Sequence, residues 1–275
     1  MSNLSEFFPA GAGKQVSFVA SGTVGDGVTV ILNSDGTVSA VSGQSYSAES
    51  EVSASGSDTS TSESAAVFDS TNNKVVVCFR RSNNSYAVVG TISGSTISFG
   101  TAVEFLTNRN MSRPVMAFDS NEGAVIIAYR DDGSGANNYG QAIAGKVSGT
   151  SISFGTAVTF NSATTTYLAA TYDSNAGKVV IAYRDEGNSD YGTLIVGSVS
   201  GTSISFGSEV VFESGGVNWI SDTFDSTQKK VVIAYSDGNN SAYGTAIVFQ
   251  NESTNLTTEN FIGFSDAAYT NGQTA

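Results

Sequence analysis

The sequence predicts an all-β fold, a β-propeller most simply built from five four-stranded blades of about 50 residues each. Three observations lead there: a motif recurs at a nearly fixed spacing, each copy offers four short runs rich in β-branched and aromatic residues, and the 3.6-residue periodicity of helices is missing. A chain of 275 residues is long enough to bury a core of this kind without metal or disulfide support.

The recurring motif ends an apolar run with Asp-Ser and continues into a second apolar run. Its aspartates, which we call the marker aspartates, are spaced by 50, 54 and 52 residues. The four copies are AVFDSTNNKVVVCFRR from Ala66, MAFDSNEGAVIIAYRD from Met116, ATYDSNAGKVVIAYRD from Ala170 and DTFDSTQKKVVIAYSD from Asp222.

Each copy predicts four strands, A to D, separated by turn residues. Strands A and B flank the Asp-Ser turn, strand C follows a polar loop and begins at a tyrosine, and strand D is the SISF-type run after a Ser-Gly turn. Strand B is an almost unbroken apolar run, which indicates burial on both faces of the sheet.

Residues 18–65 predict a diverged fifth copy, with a strand B near Val28–Leu32 and a strand D near Ser45–Val52. The resulting division is one domain, 1–275, with repeats at about 18–65, 66–114, 115–168, 169–220 and 221–270. The ring could be closed by a strand at 14–18 or by one within Phe261–Gln273, and the abrupt C-terminus leaves open that the natural protein continues.

The composition excludes several function classes. The chain has no histidine, which removes the commonest general base and metal ligand and every Ser-His-Asp or Cys-His arrangement. The single cysteine, Cys78, lies where the other copies have alanine, and we interpret it as a small buried strand residue. The net charge of −13 opposes binding to nucleic acid or to an anionic membrane, and neither a signal peptide nor a membrane span is evident.

The connections divide the predicted disc into a scaffold face and a candidate binding face. The A-to-B and C-to-D connections are short and uniform, whereas the B-to-C and D-to-A connections are long, polar and individual. Six residues before each marker aspartate lie Glu63, Arg113, Tyr167 and Trp219. The predicted ligand-binding residues on this face are Arg113, Arg130, Asp131, Tyr139, Tyr167, Arg184, Asp185, Tyr191, Trp219, Asp237 and Tyr243.

Each of these residues also has a structural interpretation. The Arg-Asp pairs could link neighbouring blades, the three tyrosines could pack between blades, and Trp219 could serve in packing or in binding. The carboxylates of Asp131, Asp132, Asp185, Glu186 and Asp190 suit Ca²⁺ chemically, but no EF-hand-type loop is present, so we predict no metal and no cofactor. Acidic residues that recur in register favour structure or repeated binding over one glycosidase pair, so we expect no enzyme.

The repeats FDS-x-x-x-x-KVVIAYRD, YGT and VSGTSISFG, with GDGVTVILNSDGTVSAVSG and ENFIGFSDAAYTNGQTA near the ends, resemble tail-fibre and other virion-associated repeat proteins of marine bacteriophages. The resemblance implies a place on a virion or an extracellular surface. In blade number and repeat length alone, the chain is also similar to five-bladed lectins of the tachylectin type, but no sugar-binding motif of that family is matched.

These observations predict an acidic, lectin-like recognition module that binds host-surface glycans in pockets between blades. The alternative is a purely structural virion protein whose partners are other viral subunits. Nucleic acid and membrane are not expected partners.

Overall fold

The computed structural model describes residues 18–26, 29–41, 51–56, 61–133 and 135–251. The chain divides into two compact parts, residues 1–49 and 50–275. In the first part, β1 (Val30–Leu32) pairs with β2 (Val38–Ala40) in an antiparallel hairpin, and Ala20 forms a parallel bridge with Val38.

The second part contains four sheets, I to IV, which follow one another along the chain. Sheets I and II share the order A, B, C and a D strand in two pieces. Sheet I comprises β3 (Thr61–Asp69), β4 (Lys74–Arg81), β5 (Asn84–Ser93), β6 (Thr96–Phe99) and β7 (Val103–Leu106). Sheet II comprises β8 (Met111–Asp119), β9 (Ala124–Asp131), β10 (Tyr139–Ser148), β11 (Ser151–Phe154) and the start of β12 (Val158–Asp173).

Sheets III and IV continue the pattern through long shared strands. The rest of β12 is strand A of sheet III, and the end of β16 is strand A of sheet IV. Sheet III adds β13 (Lys178–Asp185), β14 (Tyr191–Ser200), β15 (Ser203–Phe206) and the start of β16 (Val210–Asp225); sheet IV adds β17 (Lys230–Asp237) and β18 (Tyr243–Phe249). Hydrogen bonding through β12 and β16 joins sheets II, III and IV into one 11-stranded sheet.

The marker aspartates form the A-to-B turns in all four sheets. In each, the Oδ1 atom accepts hydrogen bonds from the backbone N–H groups two and three residues ahead, at 2.8 to 3.0 Å. This local bonding is why aspartate fits the turn. The residue before strand B then has positive φ, as Asn73, Gly123, Gly177 or Lys229.

The core lies between the sheets. Strands B and C of adjacent sheets pack against each other in three clusters, I against II, II against III and III against IV. In β9, Val125, Ile127 and Tyr129 face sheet I whereas Ile126 and Ala128 face sheet III. Burial of strand B on both faces is therefore confirmed for sheets II and III.

The prediction of an all-β fold with antiparallel sheets is confirmed, and every pairing between the strands named above is antiparallel. Cys78 is fully buried in β4, as predicted, and burial raises the pKa of its thiol to about 12. Among the residues described, no helix has the length and apolar character needed to cross a bilayer.

Two expectations about the connections differ from the structure. The A-to-B and C-to-D connections are uniform, with four and two residues, as predicted. The first B-to-C connection, however, is only Ser82 and Asn83, and the D-to-A crossings into sheets III and IV are continuous strand rather than loops. Strand A also begins earlier than predicted, at Thr61 in sheet I and Met111 in sheet II, ahead of a β-bulge.

The fifth repeat remains a prediction. Within 18–41, the described residues form the β1–β2 hairpin and the bridge of Ala20 to Val38. All but Phe18 of the closing strand predicted at 14–18, all of the one predicted within Phe261–Gln273, and most of the strand at Ser45–Val52 lie outside the described residues. The single-domain division and the repeat limits likewise stay predictions.

Candidate binding site

All eleven predicted site residues lie at one end of the sheets, where strand A begins and strand B ends. The register pairs Met111 with Asp131, Thr165 with Asp185 and Val217 with Asp237, so these positions are side by side in sheets II, III and IV. We call this the bulge end, because strand A carries a β-bulge there in every sheet, and the opposite end the turn end.

The bulges share a backbone geometry that ordinary residues rarely adopt. Each contains a non-glycine residue in the left-handed region, with φ between 50° and 53°; we call these four residues, Glu63, Arg113, Tyr167 and Trp219, the bulge row. An L-residue in this region costs about 1–2 kcal/mol. Strain of this kind persists where the surroundings enforce it and is concentrated at functional sites.

The bulge row is continuous across the four sheets. The backbone N–H of Arg113 donates to Glu63 Oε2 at 2.8 Å, and the Arg113 guanidinium carbon lies 5.4 Å from the centre of the Tyr167 ring. The Tyr167 and Trp219 rings meet edge-on, with centroids 5.2 Å apart and planes at 65°. Each member thus contacts the equivalent residue of the next sheet.

Trp219 ends the row and presents its ring to solvent, with 76% of its surface exposed. It borders an open depression of about 550 Å³. Apart from Tyr235, the remaining lining residues are small: Ala234, Ser236, Ala242, Gly244, Thr245 and Ala246. An exposed indole beside a floor of small side chains offers an apolar plane with space in front of it.

Arg184 also lies over Tyr167, with its guanidinium carbon 5.8 Å from the ring centre. It is held by Asn218 Oδ1 at 2.8 Å, which accepts from NH1, and by Asp190 Oδ2 at 2.6 Å. Its Nε is buried without a hydrogen-bond partner among the residues described. Asn218 was not predicted, since it lies 34 residues from Arg184 in the chain, and Asp190 was considered only as a Ca²⁺ ligand.

The three predicted aspartates turn their carboxylates into the protein. Asp131, Asp185 and Asp237 are buried and accept backbone N–H bonds from Gly133 at 3.3 Å, Gly187 at 2.9 Å and Asn239 at 3.0 Å, respectively. Asp131 also pairs with Arg109. Through these hydrogen bonds, the carboxylates close the B-to-C loops.

The other predicted residues surround the row. Arg130 is mostly buried; its Nε donates to Ser112 Oγ and its NH2 to Asp132 Oδ2, both at 3.1 Å. Tyr139 and Tyr191 are half-buried at the start of strand C, whereas Tyr243, the equivalent residue of sheet IV, is 63% exposed. The structure therefore brings Arg113, Tyr167, Arg184 and Trp219 together and leaves the strand C tyrosines beside them.

The carboxylates considered for Ca²⁺ do not converge. Asp131 and Asp185 bind backbone groups, Asp132 and Asp190 pair with Arg130 and Arg184, and Glu186 accepts from the Thr166 hydroxyl at 3.0 Å. In the described part of the chain, no group of three or more acidic, cysteine or histidine side chains is arranged to hold a metal.

No protein-family model matches the chain, and no curated protein matches it in sequence. Among solved structures it is similar to NanB with Optactamide, at a TM-score of 0.47 and 13% identity over 67% of this chain, and to a mutant of NanB sialidase from Streptococcus pneumoniae, at 0.49 and 13% over 67%. It is also similar to the Hadza microbial sialidase Hz136, at 0.44 and 9% over 68%. The match covers 30% of each of the first two chains and 43% of the third.

Proposed function

We propose that this chain is a non-enzymatic recognition module that binds carbohydrate at the bulge end of its sheets. The observation that carries the proposal is the Tyr167–Trp219 pair, in which a largely exposed indole meets a half-buried phenol ring, both on left-handed backbone and with two arginines beside the phenol ring. Aromatic faces cover the apolar C–H face of a sugar ring, while arginine supplies planar hydrogen-bond donors for its oxygens.

The proposed architecture is a five-bladed β-propeller. Three observations support it. The four antiparallel sheets pack face to face, and their A strands contact one another in chain order. Residues 18–65 are also enough for one more repeat. A propeller would place the bulge row around one mouth of its central channel.

The proposed setting is a phage tail or another virion surface, with host-surface glycans as ligands. Support comes from the resemblance of the repeats to virion-associated proteins. The net charge of −13 agrees with a soluble partner rather than nucleic acid or an anionic membrane.

A non-enzymatic role is favoured by the carboxylates at this end. Most glycoside hydrolases use two carboxyl groups about 5–10 Å apart that are free to reach a substrate. Asp131, Asp185 and Asp237 instead serve backbone N–H groups inside the loops.

A second candidate is a structural virion protein that docks to other viral subunits. Strand β18, at the edge of sheet IV, exposes Val248, at 62%, towards the turn end and Tyr243, at 63%, at the bulge end. Exposed apolar surface of this kind is used in protein contacts when it forms a contiguous patch.

A glycan array tests the proposal, with Trp219→Ala as the site variant and Phe68→Ala as its control. Phe68 is also a half-exposed strand A aromatic, but it lies at the turn end of sheet I. We expect Trp219→Ala to abolish binding and Phe68→Ala to preserve it. Absence of binding by the folded, monodisperse wild-type chain would favour the virion-subunit role.

A further inference from the structure

We propose that the ligand is an acidic glycan, bound one per chain, and that Arg113 recognises its carboxylate or sulfate group. The inference rests on the proposed function and specifies its ligand class. The sequence predicted several similar pockets between blades; the inference is instead a single binding site formed by the bulge row.

The first argument is the chemistry of the row. A site repeated in each sheet requires the same side chain at equivalent positions, whereas the four bulge positions hold a carboxylate, a guanidinium, a phenol and an indole. Because three of them meet at Tyr167 or beside it, the structure supports one site of mixed character.

The second argument is the pairing of the arginines at the bulge end. Arg109, Arg130 and Arg184 each pair with a carboxylate, those of Asp131, Asp132 and Asp190. Arg80 and Arg113 form no ion pair among the described residues, but Arg80 is half-buried whereas Arg113 is exposed and lies over the Tyr167 ring.

The Glu63 carboxylate forms no ion pair with that guanidinium; its Oε2 accepts from the backbone N–H of Arg113 at 2.8 Å. The Arg113 guanidinium lies over the Tyr167 ring, and a guanidinium binds a carboxylate or sulfate through two parallel hydrogen bonds. Among the described residues, Arg113 is therefore an exposed cation without a carboxylate partner, in an acidic protein.

The third argument is the position of Arg113 relative to the aromatic surface. Its guanidinium and the Trp219 ring both adjoin Tyr167, so a ligand of one or two sugar residues can place an anionic group on Arg113 and a ring face on Trp219. The protein's negative charge makes this local cation selective, since anions that do not gain the stacking contact are repelled.

The test uses linear tetrasaccharides in three matched forms, uronate, carboxyl-reduced and sulfated, titrated calorimetrically into the wild-type chain. We expect a stoichiometry of one, at least about tenfold tighter binding of an anionic form than of the neutral form, and weakening by added salt. Comparison of the uronate and sulfated arms identifies which anion Arg113 binds.

Arg113→Gln should remove the preference for the anionic form, and Arg113→Lys, which keeps the charge but loses the planar fork, should retain part of it. Lys229→Gln is the matched control, because it removes one exposed positive charge at the turn end. Circular dichroism and thermal unfolding establish that each variant is folded.

Two results would overturn the inference while leaving the proposed function intact: equal affinity for the neutral and anionic forms, or a stoichiometry of three or four. Binding of none of the three forms, together with a glycan array that is negative, would contradict the proposed function itself.

Discussion

The turn end and the bulge end of the four sheets are built from the same strands A and B, but the side chains are alike from sheet to sheet only at the turn end. At the turn end, an aspartate accepts the same two backbone N–H groups in every sheet. At the bulge end, the backbone repeats, with φ near 50°, but the side chain changes from Glu63 to Arg113, Tyr167 and Trp219. The repeat thus conserves the backbone at both ends and keeps identical side chains only where they build the fold.

The largest effect should come from breaking a turn. Asp119 is buried and accepts from Asn121 and Glu122, so Asp119→Ala should lower the free energy of unfolding by about 3 kcal/mol, because both bonds involve a charged acceptor. The exposed Asp225 makes the same pair of bonds, and Asp225→Ala should cost only about 1 kcal/mol because water replaces them. Urea unfolding measures both; equal losses would show that burial does not distinguish the turns.

One strand A position between the two ends, Asp222, departs from the repeat. Asp222 pairs with Ile233 at the strand A position that is Ala66, Met116 and Ala170 elsewhere, and its Oδ2 is buried without a hydrogen-bond partner among the described residues. Burial raises the pKa of Asp222 to about 7. The folded protein therefore holds this proton more tightly than the unfolded chain, and stability falls as pH rises from about 4 through 7.

Asp222→Ala should remove that dependence. A rise of about three pKa units is worth about 4 kcal/mol at full strength, and partial exposure of Asp222 to water reduces it. We therefore expect a gain on the order of 2 kcal/mol at pH 8 and little gain at pH 4. Urea unfolding at the two pH values measures it. A gain that is the same at both would mean that the carboxyl is not titrating in the fold.

The backbone strain at the bulge end can be separated from its side-chain chemistry. Because glycine accepts positive φ, Trp219→Gly should be more stable than Trp219→Ala by about 1 kcal/mol, although both lose the indole and with it the glycan. Thermal unfolding of the two variants, with glycan binding measured in parallel, tests this. Equal stability would mean that the left-handed backbone at Trp219 is not strained.

The smallest expected change in stability comes from the residue with positive φ in the A-to-B turn of sheet IV. Lys229 has φ of 56° where two other turns have Gly123 and Gly177. Lys229→Gly should stabilise by about 0.5 kcal/mol, since an exposed turn relaxes part of its strain. The reverse change, Gly177→Ala, should destabilise, and chemical denaturation of the pair compares them; a loss of stability in Lys229→Gly would contradict the argument.

The sequence predicted the features that depend on local bonding or on apolar periodicity. The Asp-Ser turns, the two-face burial of strand B and the burial of Cys78 follow from residues adjacent in the chain. The bulges could not be predicted, because their positive φ falls on Glu63, Arg113, Tyr167 and Trp219 and not on glycine, the residue that usually indicates it. Their spacing before the marker aspartates identified the positions without revealing the geometry.

Contacts between residues distant in the chain also could not be predicted from the sequence. The bond of Arg184 to Asn218, 34 residues away, and the pairing of Arg109 with Asp131, 22 residues away, depend on how separate segments meet. The polar run Asn161–Thr166 looked like a loop, yet it lies within β12, because its residues complete a strand shared by two sheets.

The shared strands β12 and β16 also determine how the molecule will respond to force. Each has 16 residues and is hydrogen-bonded in two sheets, so those sheets separate only when the pairing of one continuous strand is broken. Sheets I and II share no such strand, because residues 107–110 connect them. Under tension we therefore expect sheet I to detach first and sheets II, III and IV to yield together.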